Sequence, residues 1–108
     1  MFANPTACHW VGQAHHLPVL TVVNNNAVYN AVRRATLGMY EKGVAQQKDD
    51  AMTLADLQPS PAFEKLIEAS GGYGERVEKP ADLPAALARA VKEVRNGRQA
   101  LLNVITSL

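Results

Sequence analysis

The sequence predicts an α/β domain, a parallel sheet with helices on both faces. Two observations carry that expectation. Apolar residues at helical spacing alternate with short β-branched runs along the 108 residues, as in a chain of strand and helix units. The strongest strand signal, Val19-Leu20-Thr21-Val22-Val23, is apolar at positions that point both ways, which fits a central strand covered on both sides. Crossovers between such strands are right-handed, and the sheet they build is parallel.

The elements follow in order. Asn4-Pro5 puts a capping residue before a proline at the first helical position, where a missing N–H costs nothing. Ala7, Val11 and Ala14 share one side of a helix predicted to reach about His15, and Leu17-Pro18 ends it. The strand over 19–23 comes next and should stop abruptly at Asn24-Asn25-Asn26. Val28, Val32, Ala35 and Met39 then recur at steps of four, three and four, so a second helix is predicted from about Ala27 to Tyr40. Glu41 to Pro59 has no clean period and carries Gly43, Gln46, Gln47, Asp49 and Asp50. A connection of that length reads as an active-site-type loop or a poorly ordered link.

Ser60-Pro61 opens a third helix, with Phe63, Leu66 and Ile67 inward and Gly71 as its stop. A second strand is predicted near Tyr73 to Val77. Asp82 should cap a fourth helix whose apolar stripe is Leu83, Leu87, Ala90, Val91 and Val94, with Gly97 ending it. Ala100 to Ile105 is the last strand, so Val19 to Val23 has only two others to pair with.

Composition narrows the partners. Eleven Lys and Arg against ten Asp and Glu leave a formal charge of +1, too little to draw the chain to nucleic acid or to an anionic membrane. A chain of this size is one domain and buries about two-thirds of its unfolded surface, a modest core. The single cysteine, Cys8, forms no internal disulfide, and with His9, His15 and His16 it shows no zinc-ligand spacing. The longest apolar run falls far short of the ~20 residues of a membrane span, and the first residues lack the regions of a signal peptide. A cytoplasmic, untargeted chain is the expectation.

In parallel sheets ligands gather beyond the carboxyl ends of the strands. Asn24-Asn25-Asn26 stands at such an end. An asparagine there offers a carbonyl oxygen to a hard cation, and the N–H groups that open the next helix can receive phosphate oxygens. Magnesium with a diphosphate suits that geometry. On spacing alone a second reading stays open: the asparagines turn the chain and cap the helix.

Longer matches bear on the choice. Leu17-Pro18-Val19-Leu20-Thr21-Val22-Val23-Asn24-Asn25-Asn26 resembles the end of the thiamine diphosphate motif, which begins with Gly-Asp-Gly and closes with Asn-Asn behind a hydrophobic strand. The likeness is to acetolactate-synthase-like enzymes and covers almost the whole chain. Asn4-Pro5-Thr6-Ala7-Cys8-His9-Trp10, Asn26-Ala27-Val28-Tyr29-Asn30-Ala31-Val32-Arg33-Arg34, Pro61-Ala62-Phe63, Ala69-Ser70-Gly71-Gly72-Tyr73-Gly74, Asp82-Leu83-Pro84-Ala85-Ala86-Leu87 and Ala100-Leu101-Leu102-Asn103-Val104 are all similar to segments of that family.

The resemblance implies a thiamine diphosphate-binding, Rossmann-like fold, with residues 1–108 forming a single domain that is the carboxyl-terminal part of the cofactor domain. It implies Mg2+ held by the Asn26 side chain and the Val28 main-chain carbonyl, with Ala27, Val28, Tyr29 and Asn30 lining the diphosphate beside Asn26. Many relatives have Gly where this chain has Asn30; asparagine tolerates positive φ better than most residues. A 2-oxo acid substrate, carbon–carbon cleavage or ligation, a homo-oligomer, and neither nucleic acid nor membrane as partner are implied in the same way.

Twenty-four residues precede Asn25, so the motif's spacing puts Gly-Asp-Gly at or before Met1. The carboxylate ligand it carries and the family's activating glutamate, which belongs to another domain, have no counterpart here. The chain is therefore expected to be an N-terminally truncated reading of the cofactor domain, to hold no catalytic residue, and to be inactive alone. The rival expectation is a non-catalytic α/β assembly module that has lost its cofactor.

The remaining residues suggest less. His15 and His16 fit a helix C-terminus that favours a cation, and Cys8 and Trp10 read as core or interface fillers. Arg33-Arg34 could reach an anionic substrate or a neighbouring subunit, or simply face solvent. Arg89, Lys92, Arg95 and Arg98, with Glu93 among them, read as a solvent face.

Overall fold

The computed structural model describes residues 5–44 and 55–107. Asn4, Gln46, Gln47, Asp49 and Asp50 lie outside the described residues. In chain order the elements are α1 (Pro5–Ala14), β1 (Leu20–Asn25), α2 (Asn30–Met39), α3 (Phe63–Glu68), β2 (Tyr73–Val77), a 3-10 turn (Pro80–Asp82), α4 (Leu83–Arg95) and β3 (Ala100–Ile105). They fall into two compact units, one made of the chain up to Asn25 and from Ala62 onward, the other of Asn26–Pro61.

The first unit is the predicted parallel α/β sheet, with strand order β1-β3-β2. On one side β3 pairs with β1 from Leu20↔Ala100 to Asn25↔Ile105, and on the other with β2 from Tyr73↔Ala100 to Val77↔Val104. The central strand is thus β3, and the expectation that Val19 to Val23 is central is corrected. Ala100 to Asn103 are all buried, whereas Val22 on β1 is 48% exposed. Two-sided apolarity marked β1, but position in the sheet is decided by pairing, and β3 is hydrogen-bonded along both edges. The strand also runs past its expected stop: Asn24 and Asn25 stay in register, and the Asn25 carbonyl accepts the Thr106 N–H at 2.9 Å.

Side chains alternate across a strand, and β3 divides cleanly. Ala100 and Leu102 face α4, forming a core with Val77, Ala86 and Ala90 that Leu20, Tyr73, Leu83, Val94 and Val104 flank. Two alanines let α4 lie close to the sheet. The stripe is therefore Leu83, Ala86, Ala90 and Val94, and the expected Leu87 stands outside it, 41% exposed. Asp82 forms no side-chain cap; it is the last residue of the 3-10 turn that leads into α4. Gly71 and Gly97 do end their helices, at φ of +79° and +85°.

Leu101 and Asn103 face the other way, toward α3. Ile67 of α3 is fully buried there. Gly74 on β2 makes that approach possible, because a Cβ at Gly74 would lie 2.2 Å from the Glu64 carbonyl oxygen.

Around this sheet several polar residues are less idle than expected. Arg98 lies beyond α4 and donates to the Gly71 and Gly72 carbonyls at 3.0 and 3.1 Å, so it clamps the turn into β2 rather than facing solvent alone. Arg89 and the Tyr73 hydroxyl both donate to the Glu75 carboxylate. The Arg89 guanidinium holds that carboxyl below its usual range, while burial pushes the Tyr73 phenol up. Cys8 and Trp10 are exposed on α1 rather than core fillers, and His9 between them is the buried one. The helix ends with His16 at φ +53°, Leu17 N–H bonded to the Gly12 carbonyl and His16 N–H to that of Gln13, a Schellman closure.

The second unit holds α2, none of whose residues is buried. The helix opens at Asn30, not at the expected Ala27. Tyr29 N–H bonds to the Ala55 carbonyl and Leu57 N–H to that of Ala27, around an antiparallel bridge between Val28 and Asp56. That pairing takes the backbone groups of 27–29 that another helical turn would need.

Candidate functional site

The three asparagines at the end of β1 have separate fates. Asn24 is exposed at the strand's end. Asn25 is buried, and its side-chain amide donates to Asn103 Oδ1 at 3.1 Å. Asn26 is the first residue of the second unit, half-buried, and its Oδ1 accepts the Val28 N–H at 3.2 Å. This is the local side-chain turn that asparagine forms readily.

That turn has an unusual backbone. Ala27 is buried with φ +52°, a left-handed conformation that residues with a Cβ seldom adopt. The bridge to Asp56 explains where the neighbouring groups point. In an antiparallel pair of this kind the bonds run from the residues on either side of the bridge, here Ala27 and Tyr29. The Val28 N–H and carbonyl are therefore directed away from 55–57, and the N–H meets Asn26 Oδ1.

Of the five residues the sequence singled out, Asn26, Ala27 and Val28 form this turn, Tyr29 is the N-cap of α2, and Asn30 is its first residue. The amides of Val28 and Tyr29 are engaged within the unit. The first helical bond is Arg33 N–H to the Tyr29 carbonyl, so the helix's own ladder leaves the amides of Asn30, Ala31 and Val32 to other acceptors. Arg33 and Arg34, one turn on, are both exposed.

The donor set suits a hard cation. A carbonyl oxygen has two lone pairs, and Asn26 Oδ1 uses one on Val28 N–H. The other, with the Val28 carbonyl, supplies the neutral oxygen donors that magnesium accepts. Among the described residues no group of three His, Cys, Asp or Glu is placed to hold a metal, and no helix is long and apolar enough to cross a membrane.

Sequence reasoning missed Glu64 and Asn103, both buried in the sheet unit and joined by a 2.6 Å hydrogen bond from the Asn103 amide to the Glu64 carboxylate. Only a polar residue at an inward position of a strand and another at an inward position of a helix could have flagged them, and neither pattern is visible until the faces are known.

Comparison with known proteins bears on the whole chain. Residues 9–104 match the family described as thiamine pyrophosphate enzyme, C-terminal TPP binding domain. The chain is 30% identical over 92 residues to a probable acetolactate synthase of Mycobacterium bovis, covering 85% of this chain and 15% of that protein. It is 35% identical over 92 residues to a 2-hydroxyacyl-CoA lyase of Oryza sativa subsp. japonica, covering 84% and 15%. With a 2-hydroxyacyl-CoA lyase of Arabidopsis thaliana the identity is 38% over 87 residues, covering 81% and 14%. The chain thus spans about 15% of the length of these relatives. No solved structure gives a significant match. The alternation of strand and helix, the asparagine turn at the carboxyl end of β1 and this match over 9–104 lead to one assignment: the chain belongs to the C-terminal thiamine pyrophosphate-binding domain family of thiamine pyrophosphate enzymes.

Proposed function

We propose that this chain supplies the carboxyl-terminal part of a thiamine diphosphate and Mg2+ site, in an enzyme that breaks or makes a carbon–carbon bond next to a 2-oxo group. The observation that carries this is the turn at Asn26, whose side-chain oxygen and the Val28 carbonyl are gathered within three residues just beyond a parallel strand. Asn26 and Val28 hold the metal. The opening amides of α2, at Asn30 and after, take a diphosphate oxygen where the helix dipole favours negative charge.

Ala27 and Tyr29 have a different share. Ala27 sets the left-handed bend that brings Val28 back over Asn26, and Tyr29 fixes the bend by its bond to Ala55. When bound, the cofactor supplies the nucleophilic carbon that adds to the 2-oxo group. The side chains of Asn26, Ala27 and Val28 carry no acid or base, so the work of the turn is anchoring and orientation.

The names of the relatives, an acetolactate synthase and 2-hydroxyacyl-CoA lyases, support this class of chemistry. A homo-oligomer and a cytoplasmic setting complete the reading. The test is an assay of the full-length protein that carries this chain, with a 2-oxo acid, thiamine diphosphate and Mg2+. Turnover that needs both cofactor and metal is the expected result. A protein that binds neither is the assembly module instead.

A further inference from the structure

We infer that the sheet unit carries a further binding site, a crevice beyond the carboxyl ends of β2 and β3 that takes a small aliphatic carboxylate. It is independent of the turn at Asn26, and every group it uses belongs to the sheet unit. Ligands of parallel sheets gather at this end, where neighbouring strands send their connections apart. After β2 the chain passes through the 3-10 turn into α4. After β3 it stays beside β1, with the Thr106 N–H on the Asn25 carbonyl at 2.9 Å. The two exits leave a crevice of about 630 Å3 between them, within the ~300–1,000 Å3 of small-molecule sites.

The floor is the open end of the core on the α4 side. Val77 and Val104 pair in register across β2 and β3, and Leu83, the first residue of α4, packs against the same core. Val77 is buried, whereas Leu83, Val104 and Ile105 are half-buried, and all four line the crevice. Apolar surface that the fold leaves uncovered is thus gathered at the bottom of a concave site.

At the rim the groups are polar. Glu78 is already engaged, its carboxylate accepting from Arg76 Nε at 2.8 Å. The ammonium of Lys79 pairs with no acid among the described residues. Its backbone is held by the bond from the Asp82 N–H to the Lys79 carbonyl at 3.0 Å. Thr106 and Ser107 add two hydroxyls. One cation and two hydroxyl donors over an apolar floor match a single carboxylate, which only accepts hydrogen bonds, on an apolar body.

The experiment is isothermal titration of hexanoate into the full-length protein that carries this chain, with hexan-1-ol lacking the charge and acetate lacking the apolar body. Saturable hexanoate binding is expected, with a Kd about tenfold or more below that of either control, the gain from a hydrogen bond to a charged group. Lys79→Gln should raise the hexanoate Kd to that of hexan-1-ol and leave the hexan-1-ol value unchanged. Thr106→Trp should abolish binding of both by filling the mouth. Both residues are exposed, so the melting temperatures of the variants should match wild type. Absence of saturable hexanoate binding overturns the inference, as does an equal Kd for hexanoate and hexan-1-ol. A wild-type hexanoate Kd in Lys79→Gln and Thr106→Trp also overturns it, because the carboxylate then binds elsewhere.

Discussion

In β3 four consecutive residues, Ala100 to Asn103, are buried, whereas none of the ten residues of α2 is. The first is held by ladders on both edges and by helices on both faces. The second shows Val32 at 57% and Met39 at 75% exposure, and at ten residues it is shorter than the ~12–15 at which an isolated helix is even marginal. Folding energy is therefore concentrated in the sheet unit, while the residues proposed to meet the cofactor lie in a segment held by a few backbone bonds and one asparagine turn. Binding residues on loops carried by a rigid scaffold are a common arrangement.

The contrast can be broken by substitution. Leu102→Ala should cost about 2–5 kcal/mol, read as a lower midpoint in chemical denaturation, while Val32→Ala on exposed α2 should stay within about 0.5 kcal/mol. Comparable losses at the two positions would refute the division. Gly74→Ala comes next, at about 1–3 kcal/mol, since the added methyl meets backbone at Glu64 and not a flexible side chain. At the turn itself, Ala27→Gly should raise stability by about 0.5 kcal/mol by relieving the left-handed strain, the reverse of glycine's usual effect. A loss there would mean that the bend is not strained.

The smallest effect is a pH dependence. Arg89, and the Tyr73 hydroxyl after it, hold the Glu75 carboxyl below its ordinary range against the opposing effect of burial. A depressed acid contributes stability that is present above its unfolded value, about 4.3, and that fades as pH falls through the folded value. Glu75→Gln should therefore be slightly less stable than wild type at neutral pH and converge on it in acid, as thermal melts across the acid range would show. A constant gap at all pH values would remove the ion pair as the cause.

Much of the sheet unit is legible in the sequence. Tyr73–Val77, Ala100–Ile105 and the glycine stops at 71 and 97 follow from local propensity and left-handed turns. Which strand is central is not, because pairing partners are chosen at long range and Val19 to Val23 looks more buried than it is. Helix α2 begins late for a similar reason: its periodicity includes Val28, but the pairing with 55–57 overrides it. Residues 26–30 stand out in the sequence by motif resemblance, whereas the buried bond between Asn103 and Glu64 depends on elements far apart in the chain.

The most direct test of the central claim is the cofactor affinity of Asn26→Ala against wild type, by isothermal titration of the full-length protein with thiamine diphosphate at saturating Mg2+. The expected result is a Kd raised about tenfold or more, as for loss of a metal-site partner, with unchanged melting before cofactor is added. An unchanged Kd would contradict the claim that the turn beyond β1 anchors the cofactor.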